Sequence, residues 1–160
     1  MLANPLEEFR DKLSLADDAL EGVVVMVLPE NLSDPVDELY DTTDSVELAK
    51  FLKAQGINCK TAFDFGLKPK VYERRGVDIW AGVVWITEFG AMPTFVSLFV
   101  LWLTTKLRGD KSSTIVHFEL RLQDGDKIAK MVFDGPMSGL EKLLLDAKDQ
   151  ESLTDDTRVE

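Results

Sequence analysis

The sequence has only one cysteine, Cys59, and one histidine, His117, among its 160 residues. A single cysteine excludes a disulfide framework, and this pair cannot build a Cys/His zinc site or an iron–sulfur site within one chain. We therefore expect no metal and no cofactor. The chain also lacks the Gly-x-Gly-x-x-Gly and Gly-x-x-x-x-Gly-Lys phosphate-binding motifs and the Gly-x-Ser-x-Gly nucleophile motif, which argues against a nucleotide-dependent enzyme and a serine hydrolase.

Positive charge is scarce as well. The 18 Lys and Arg residues are outnumbered by 29 Asp and Glu residues, which gives a net charge of −11. Because a surface that binds phosphates has to be positive, we expect no nucleic-acid partner.

The first residues, MLANPLEEF, lack the basic and apolar regions of a secretory signal. Together with the lone cysteine, this favours a cytoplasmic protein.

The acidic residues are concentrated at the two ends of the chain. Residues 1–53 carry a net charge of −9 and residues 146–160 a net charge of −4, whereas the residues between them carry +2. Leu6, Phe9 and Leu13 lie on one stripe at helical spacing. We therefore predict three parts: an N-terminal amphipathic helix at 1–20, a single α/β domain at 21–147 and an acidic flexible tail at 148–160.

Hydrophobic periodicity and turn residues predict a mixed α/β fold, with a sheet of about four strands and helices packed on at least one face. The best-defined helix covers 45–55, since Asp44 and Glu47 fit a capping box and Gly56 fits the left-handed position after a helix. A last helix follows Gly135. The predicted strands are 23–28, 58–65, 115–122 and 127–133, with 70–75 as either a short edge strand or a loop.

The two strands at 115–133 are predicted to form a C-terminal β-hairpin. If Asp124-Gly125 is the centre of a two-residue turn, Leu122 faces Lys127 and Phe118 faces Met131. This register places the apolar side chains of the hairpin on one face and its charged side chains on the other.

A long uncharged stretch lies in the middle of the chain. No charged residue occurs in the 17 positions from Phe89 to Thr105, and Ile79–Thr87 is uncharged as well. Because Glu88 and Pro93 divide the stretch, we predict an apolar helical hairpin over 79–105, packed on one face of the sheet. A membrane-spanning helix needs about 20 apolar residues, so insertion of this segment into a membrane is the alternative.

Aromatic side chains in this stretch are the candidate partner surface. The sequence leaves open whether they are core, protein interface or membrane-inserted residues, since exposed apolar patches mark interfaces but buried ones build cores. These residues are Trp80, Trp85, Phe95, Phe99 and Trp102.

Other polar residues carry weaker signals. We expect His117 to be an exposed strand residue and Cys59 to be buried and unreactive.

The acids between Asp34 and Asp44 lack the glycine and the closing glutamate of a calcium-binding loop, which favours a solvated acidic connection. A small basic spot, formed by Lys68, Lys70, Arg74 and Arg75, fits either a solvated loop or a surface that receives an acidic segment of a partner.

Residues 76–133 combine the two-part apolar segment with a hairpin that reads HFELRLQDGDKIAKMVFDG through residue 135. This pattern resembles the small effector-associated accessory components of bacterial conflict (anti-phage) systems. The resemblance implies a ferredoxin-like α/β module that acts as an adaptor and not as a catalyst. It assigns no functional residue.

Taken together, these features predict a non-enzymatic adaptor or regulatory subunit, and the resemblance implies a place in a bacterial defence system. It would act by protein–protein contact, with another protein or with a second copy of itself. The alternative is a membrane-associated effector that uses the apolar segment 79–105.

Overall fold

The computed structural model describes residues 20–31, 38–73, 77–107, 109–124, 127–148 and 156–159. Short 3₁₀ turns occur at Phe63–Phe65 and Phe89–Ala91. In chain order, the elements are β1 (Val25–Leu28), β2 (Tyr40–Thr42), α1 (Thr43–Ala54), β3 (Cys59–Thr61), β4 (Lys70–Tyr72), β5 (Ile79–Ile86), α2 (Met92–Thr105), β6 (Ile115–Asp124), β7 (Lys127–Pro136), α3 (Met137–Lys148) and β8 (Asp156–Val159).

The described strands form two sheets. Six of them form one mixed sheet in the order β3-β1-β5-β6-β7-β8, and β2 and β4 form a separate parallel pair. Strands β1/β3, β5/β6 and β7/β8 are parallel, whereas β1/β5 and β6/β7 are antiparallel. The mixed α/β class is confirmed, with a larger sheet than predicted. The element order differs from the β-α-β-β-α-β order of ferredoxin-like modules.

The three described helices share one continuous apolar core with strands β1, β3, β5, β6 and β7 of the larger sheet. Helix α2 lies in the middle of the helical layer, since it contacts both α1 and α3. Aromatic rings join this helix to the sheet, with the ring centroids of Phe99 and Phe118 only 4.5 Å apart. A smaller cluster is built by Val23, Met26, Leu28, Val83 and Trp85.

The predicted helical hairpin over 79–105 is wrong in its first half. Residues Ile79–Ile86 form the central strand β5, and only Met92–Thr105 is helical. A strand covered on both faces needs no polar side chain on either, so its sequence resembles that of a buried helix. The discriminating signals are the β-branched residues and Gly82, whose φ of 76° fits a strand irregularity and not a helix.

Helix α1 begins and ends close to the predicted positions. Its N-cap is Thr42, whose hydroxyl accepts from the backbone N–H of Ser45, so the predicted cap at Asp44 is two residues too late. At the other end, Gly56 has a φ of 88° and donates to Lys53, while Ile57 donates to Leu52. This paired arrangement confirms the predicted left-handed helix end.

The predicted strand at 58–65 is shorter in the structure. Strand β3 ends at Thr61, because the carboxylate of Asp64 accepts a hydrogen bond of 2.8 Å from the Thr61 backbone N–H. Alternation of apolar residues continues beyond this point, but the backbone turns into the 3₁₀ segment Phe63–Phe65.

The C-terminal hairpin is confirmed, but its register differs from the prediction by two residues. Leu122 pairs with Ala129, Phe118 pairs with Phe133, and the last pair is Asp124 with Lys127. A shift of two residues keeps every side chain on its predicted face, because the side-chain period of a strand is two. The apolar face is therefore confirmed although the individual partners are not.

Two predicted terminal segments fall largely outside the described residues. The predicted N-terminal helix at 1–20 lies outside them except for its last residue. Within the predicted tail at 148–160, Asp156–Val159 forms strand β8, whose backbone pairs with Lys130–Phe133 of β7. The charge pattern gave no indication of this strand, because backbone pairing at a sheet edge does not require apolar side chains.

No helix in the part of the chain that the structure describes is long and apolar enough to cross a membrane.

The buried helix α2 allows a matched test of the core. Replacing Trp102, of which 3% is exposed, by alanine should lower the free energy of unfolding by about 3–5 kcal/mol, because it removes a large side chain from a closed core. Replacing its neighbour Leu101, of which 53% is exposed, should change it by no more than about 0.5 kcal/mol. Urea unfolding of both variants measures the difference. Equal losses would contradict this assignment of the inner and outer faces of α2.

Candidate functional site

The predicted aromatic partner surface is not a surface of the folded chain. Phe95, Phe99 and Trp102 are buried in the core between α2 and the sheet, and Trp85 is buried in the second apolar cluster. Only Trp80 is partly exposed. The correction has a simple physical reason, which is that the central helix and the central strand of a two-layer fold have the most area to bury.

A cleft opens beside Trp80 and His117. Its volume is about 130 Å³, well below the roughly 300–1,000 Å³ of pockets that take drug-sized ligands. The cleft is lined by Glu30, Trp80, Gly82, Val83, His117, Phe118, Glu119 and Val132.

The centre of this region is a four-residue group that we call the His117 cluster: Asp78, Trp80, His117 and Asp134. The imidazole of His117 is stacked on the indole of Trp80, with ring centroids 3.7 Å apart and planes inclined by 15°. Its Nδ1 lies 2.7 Å from a carboxylate oxygen of Asp134, and its Nε2 lies 3.0 Å from one of Asp78. His117 is therefore half-buried between two carboxylates, and the prediction of an exposed strand histidine is wrong.

Each ring nitrogen of His117 thus lies within hydrogen-bonding distance of one carboxylate oxygen. In this arrangement, neither ring nitrogen of His117 is left to take a proton from a substrate.

An irregularity in β5 presents Trp80 to His117. Trp80 pairs with His117 and Gly82 pairs with Phe118, so the register shifts around the intervening residue. A Cβ on Gly82 would lie only 3.1 Å from the backbone oxygen of Leu28 and 3.2 Å from the Cβ of Ser45. Glycine therefore lets β1, α1 and β5 approach one another at this point.

The backbone of Trp80 also ties β5 to the start of α1. Its N–H donates to the carboxylate of Asp44 at 2.9 Å, and its carbonyl accepts from the hydroxyl of Thr42 at 2.5 Å. Asp44 in turn forms an ion pair with Lys106 at 3.3 Å. Strand β2, which ends at Thr42, is thereby fixed to the sheet next to the His117 cluster.

A second titratable group lies on β2. Asp41 is only 3% exposed, and burial is the main reason why the pKa of its carboxyl is raised to about 6. The hydroxyl of Ser45 lies 3.5 Å from this carboxyl and lowers its pKa, whereas the charge of Glu30 raises it. Asp41 therefore changes its charge in the mildly acidic range.

Strand β4 is the outer strand of the β2–β4 pair. All three residues of β4, Lys70–Tyr72, are exposed, and β2 is its one partner among the described strands. The exposed fraction is 48% for Val71, 49% for Tyr72 and 55% for Val77. Half of the six large hydrophobic side chains that the described chain exposes are thus in residues 71–77.

The remaining candidate residues have structural roles where they are described. Cys59 is buried, as predicted, and burial raises the pKa of its thiol to about 12, which disfavours the reactive thiolate. Of the acids predicted as a solvated connection, Asp41 and Asp44 are instead tied into the fold, and Asp34 lies outside the described residues. Among the described side chains, no group of three or more acids, histidines and cysteines could hold a metal ion.

The basic spot is described only in part. Lys70 forms an ion pair with Glu38 at 3.0 Å, and Lys68 is exposed. Arg74 and Arg75 lie outside the described residues, so their half of the prediction stays a prediction.

Searches of protein families, curated proteins and solved structures give no match to this chain.

Reasoning from sequence found His117 but missed its partners. Asp134 lies directly opposite His117 in the hairpin, whereas the predicted register placed Val132 there. A prediction with the correct register would have identified this partner. Asp78 is 39 residues away in sequence, and the pattern of the chain contains no signal for that contact.

Replacing Asp41 by asparagine should stabilise the protein at neutral pH. In the folded protein, the pKa of the Asp41 carboxyl is raised from 3.8 to about 6. The contribution of this carboxyl to the free energy of unfolding is therefore fully present below about pH 4 and is lost as the pH rises through 6. At about 1.4 kcal/mol per pKa unit, the variant should gain about 2–3 kcal/mol at pH 7 and nothing at pH 4. Urea unfolding at both values measures this.

The matched control is Asp146→Asn, which changes an exposed acid of α3. It should leave the free energy of unfolding nearly unchanged at both pH values. A loss of stability at pH 7 in Asp41→Asn would show that the ionised carboxylate is needed in place, contrary to this account.

Proposed function

We propose that the protein is a non-enzymatic adaptor or regulatory subunit that binds an extended acidic segment of a partner protein along the outer edge of β4. The observation that carries this proposal is a strand edge that pairs with no further strand among the described residues and lies beside exposed apolar side chains. Extended peptides commonly bind by adding a strand to such an edge.

The backbone of β4 is arranged for this kind of binding. The N–H of Lys70 donates to the carbonyl of Leu39 at 3.0 Å, so Lys70 directs its backbone groups towards β2. Since these directions alternate along a strand, Val71 directs its N–H and C=O away from β2. An unpaired strand edge of this kind is a template for another strand.

Exposed apolar side chains on and beside β4 provide further surface for a partner to bury. Val71, Tyr72 and Val77 leave about half of their surface exposed. The ring of Tyr72 packs edge-on against Tyr40 with centroids 5.7 Å apart, which keeps it next to the strand edge. A two-stranded pair is marginally stable alone, and a third strand would add pairing and bury these side chains.

Charge indicates which kind of segment fits. Residues 68–75 contain four basic residues and one acidic residue, in a chain whose net charge is −11. An acidic partner segment would be attracted to this part of the chain and repelled by its two acidic ends. Complementary charge therefore favours an apolar and acidic strand as the occupant.

The non-enzymatic part of the proposal is supported by the two residues best suited to catalysis. His117 has both ring nitrogens engaged by carboxylates, and Cys59 is a buried thiol with a high pKa. A role in bacterial defence stays a prediction that rests on the resemblance of residues 76–133.

The test is Val71→Pro. Proline removes the N–H that points to the outer edge but is tolerated in an edge strand, so folding should persist. A short fluorescent peptide of alternating valine and glutamate serves as the probe. It should bind the wild-type chain and lose at least about tenfold in affinity for the variant, because a backbone hydrogen bond is lost and the ring obstructs the added strand.

Two controls make the result specific. Leu101→Asp changes an exposed apolar residue on α2 and should not affect binding of the peptide. A matching valine–lysine peptide should bind much more weakly to the wild-type chain. If Val71→Pro folds normally and binds the acidic peptide as tightly as the wild type, the proposed docking edge is wrong.

A further inference from the structure

We propose that the buried carboxyl of Asp41 is a latch, which holds β2 and the docking edge of β4 in place while it is protonated and loosens them when it ionises. The physical reason is that a carboxylate is far more stable in water than in a closed site with few polar partners. This inference rests on the function proposed above and adds a regulation to it. The segment expected to open is Tyr40–Asp41, together with its β4 partners Lys70 and Val71.

Asp41 lies in a closed site that offers its carboxyl little hydrogen bonding. Only 3% of the residue is exposed, and its contact with the hydroxyl of Ser45 is 3.5 Å long. That hydroxyl has a better acceptor in the carbonyl of Thr42, at 2.9 Å. Because a hydroxyl has a single proton to donate, Ser45 cannot satisfy both acceptors fully. The site therefore tolerates the neutral carboxyl much better than the carboxylate.

Charges on the neighbouring strands also favour the neutral form of Asp41. Burial raises the pKa of its carboxyl most, and the negative charge of Glu30, which follows β1, raises it further. Lys70 on β4 is paired with Glu38, and Ile79–Ile86 of β5 contains no charged residue. Among the described residues, no positive side chain forms an ion pair with Asp41.

The charged side chains at the start of α1 are balanced without Asp41. Lys106 of α2 forms ion pairs with both Asp44 and Glu47 of α1. The other titratable side chain of β4, Tyr72, packs its ring against β2. Ionisation of Asp41 would thus add a negative charge where the nearby lysines already have acidic partners.

The two ends of β2 are held in different ways. At its start, the N–H of Tyr40 donates to the side-chain oxygen of Asn31 at 3.0 Å, and the amide of Asn31 donates at 2.7 Å to the backbone carbonyl two residues before the strand. At its end, Thr42 is bonded to β5 and caps α1. Movement of Tyr40 and Asp41 away from the sheet, with Thr42 fixed, would expose the carboxyl to water without unfolding α1.

Opening of β2 affects the docking edge directly. Asp41 is the ladder partner of Val71, and β2 is the one partner of β4 among the described strands. A two-stranded pair is marginally stable alone, so we expect the open form to be appreciably populated once Asp41 is charged. The affinity for a partner strand then falls in proportion to the fraction of molecules whose edge is closed.

The direction of the effect follows from the raised pKa of Asp41, which is about 6 in the closed form against an ordinary value of 3.8. Stabilisation of the closed form is fully present below about pH 4 and is lost as the pH rises through 6. We therefore expect the docking edge to be better ordered under mildly acidic conditions than at neutral pH.

Amide exchange of the whole chain without a partner tests the latch. The reporters are the N–H of Tyr40, which is bonded to Asn31, and the N–H of Lys70, which is bonded to Leu39. After correction for the intrinsic pH dependence, exchange of both amides should rise at least about tenfold from pH 4 to pH 7, since one pKa unit corresponds to a tenfold change. Carbon NMR should show Asp41 titrating near pH 6. Exchange that stays flat at both amides would overturn the latch.

Variants assign the effect to Asp41. Asp41→Asn cannot ionise, so at pH 7 both amides should exchange at least about tenfold more slowly than in the wild type, with no rise from pH 4. Asp146→Asn, on the exposed side of α3, should keep the wild-type profile. A wild-type rise in Asp41→Asn would show that another group is responsible and would contradict the latch.

A second variant covers the case in which Asp41→Asn does not fold. Glu30→Gln removes the negative charge that raises the pKa of Asp41, so the NMR midpoint and the exchange profile should move together to lower pH. An exchange profile that does not follow the midpoint would also overturn the latch.

Peptide binding separates the latch from the docking function. At pH 7, Asp41→Asn should bind the valine–glutamate peptide at least about twofold more tightly than the wild type, because its edge is closed in more of the molecules. Equal affinities beside the expected difference in exchange would overturn the control of docking by Asp41. If neither chain binds the peptide, the proposed function fails, whereas the exchange result still decides whether Asp41 holds β2.

Discussion

The arrangement of the candidate site depends on how the backbone of Trp80 is satisfied. Within β5, only Val83–Ile86 pairs with β1, so the first half of β5 has no paired neighbour on that side among the described strands. Buried backbone N–H and C=O groups need partners, and Trp80 finds them in the side chains of Asp44 and Thr42. Those two bonds fix the start of α1 and the end of β2 against the sheet.

The position of β2 then determines the position of β4, which has no second strand partner among the described residues. Strand β4 pairs with β2 and lies outside the main sheet, so its outer backbone groups and its apolar side chains face away from the core. The helical layer leaves much less opportunity for binding, because α2 buries its aromatic side chains against the sheet. The proposed docking edge and the helical core thus lie in different parts of the chain.

The sequence predicted those features that depend on local pattern. Val25–Leu28 is buried on both faces, Gly56 ends α1, and Phe118 lies on the apolar face of the hairpin, all as predicted. Prediction from sequence failed where pairing between distant segments determines the structure. A central strand and a buried helix have the same composition, which is why β5 was predicted as helix. The partners of His117 come from two other segments, the start of β5 and the end of β7, and only a correct register or a structure brings them together.

The most direct test of the docking edge is amide hydrogen exchange of β4 with and without the acidic peptide. In the chain alone, the amide of Val71 should exchange rapidly while that of Lys70 is protected by its bond to Leu39. In the complex, Val71 should become protected. If Val71 is already protected in the chain alone, or stays unprotected when the peptide is bound, the strand edge is not the binding surface.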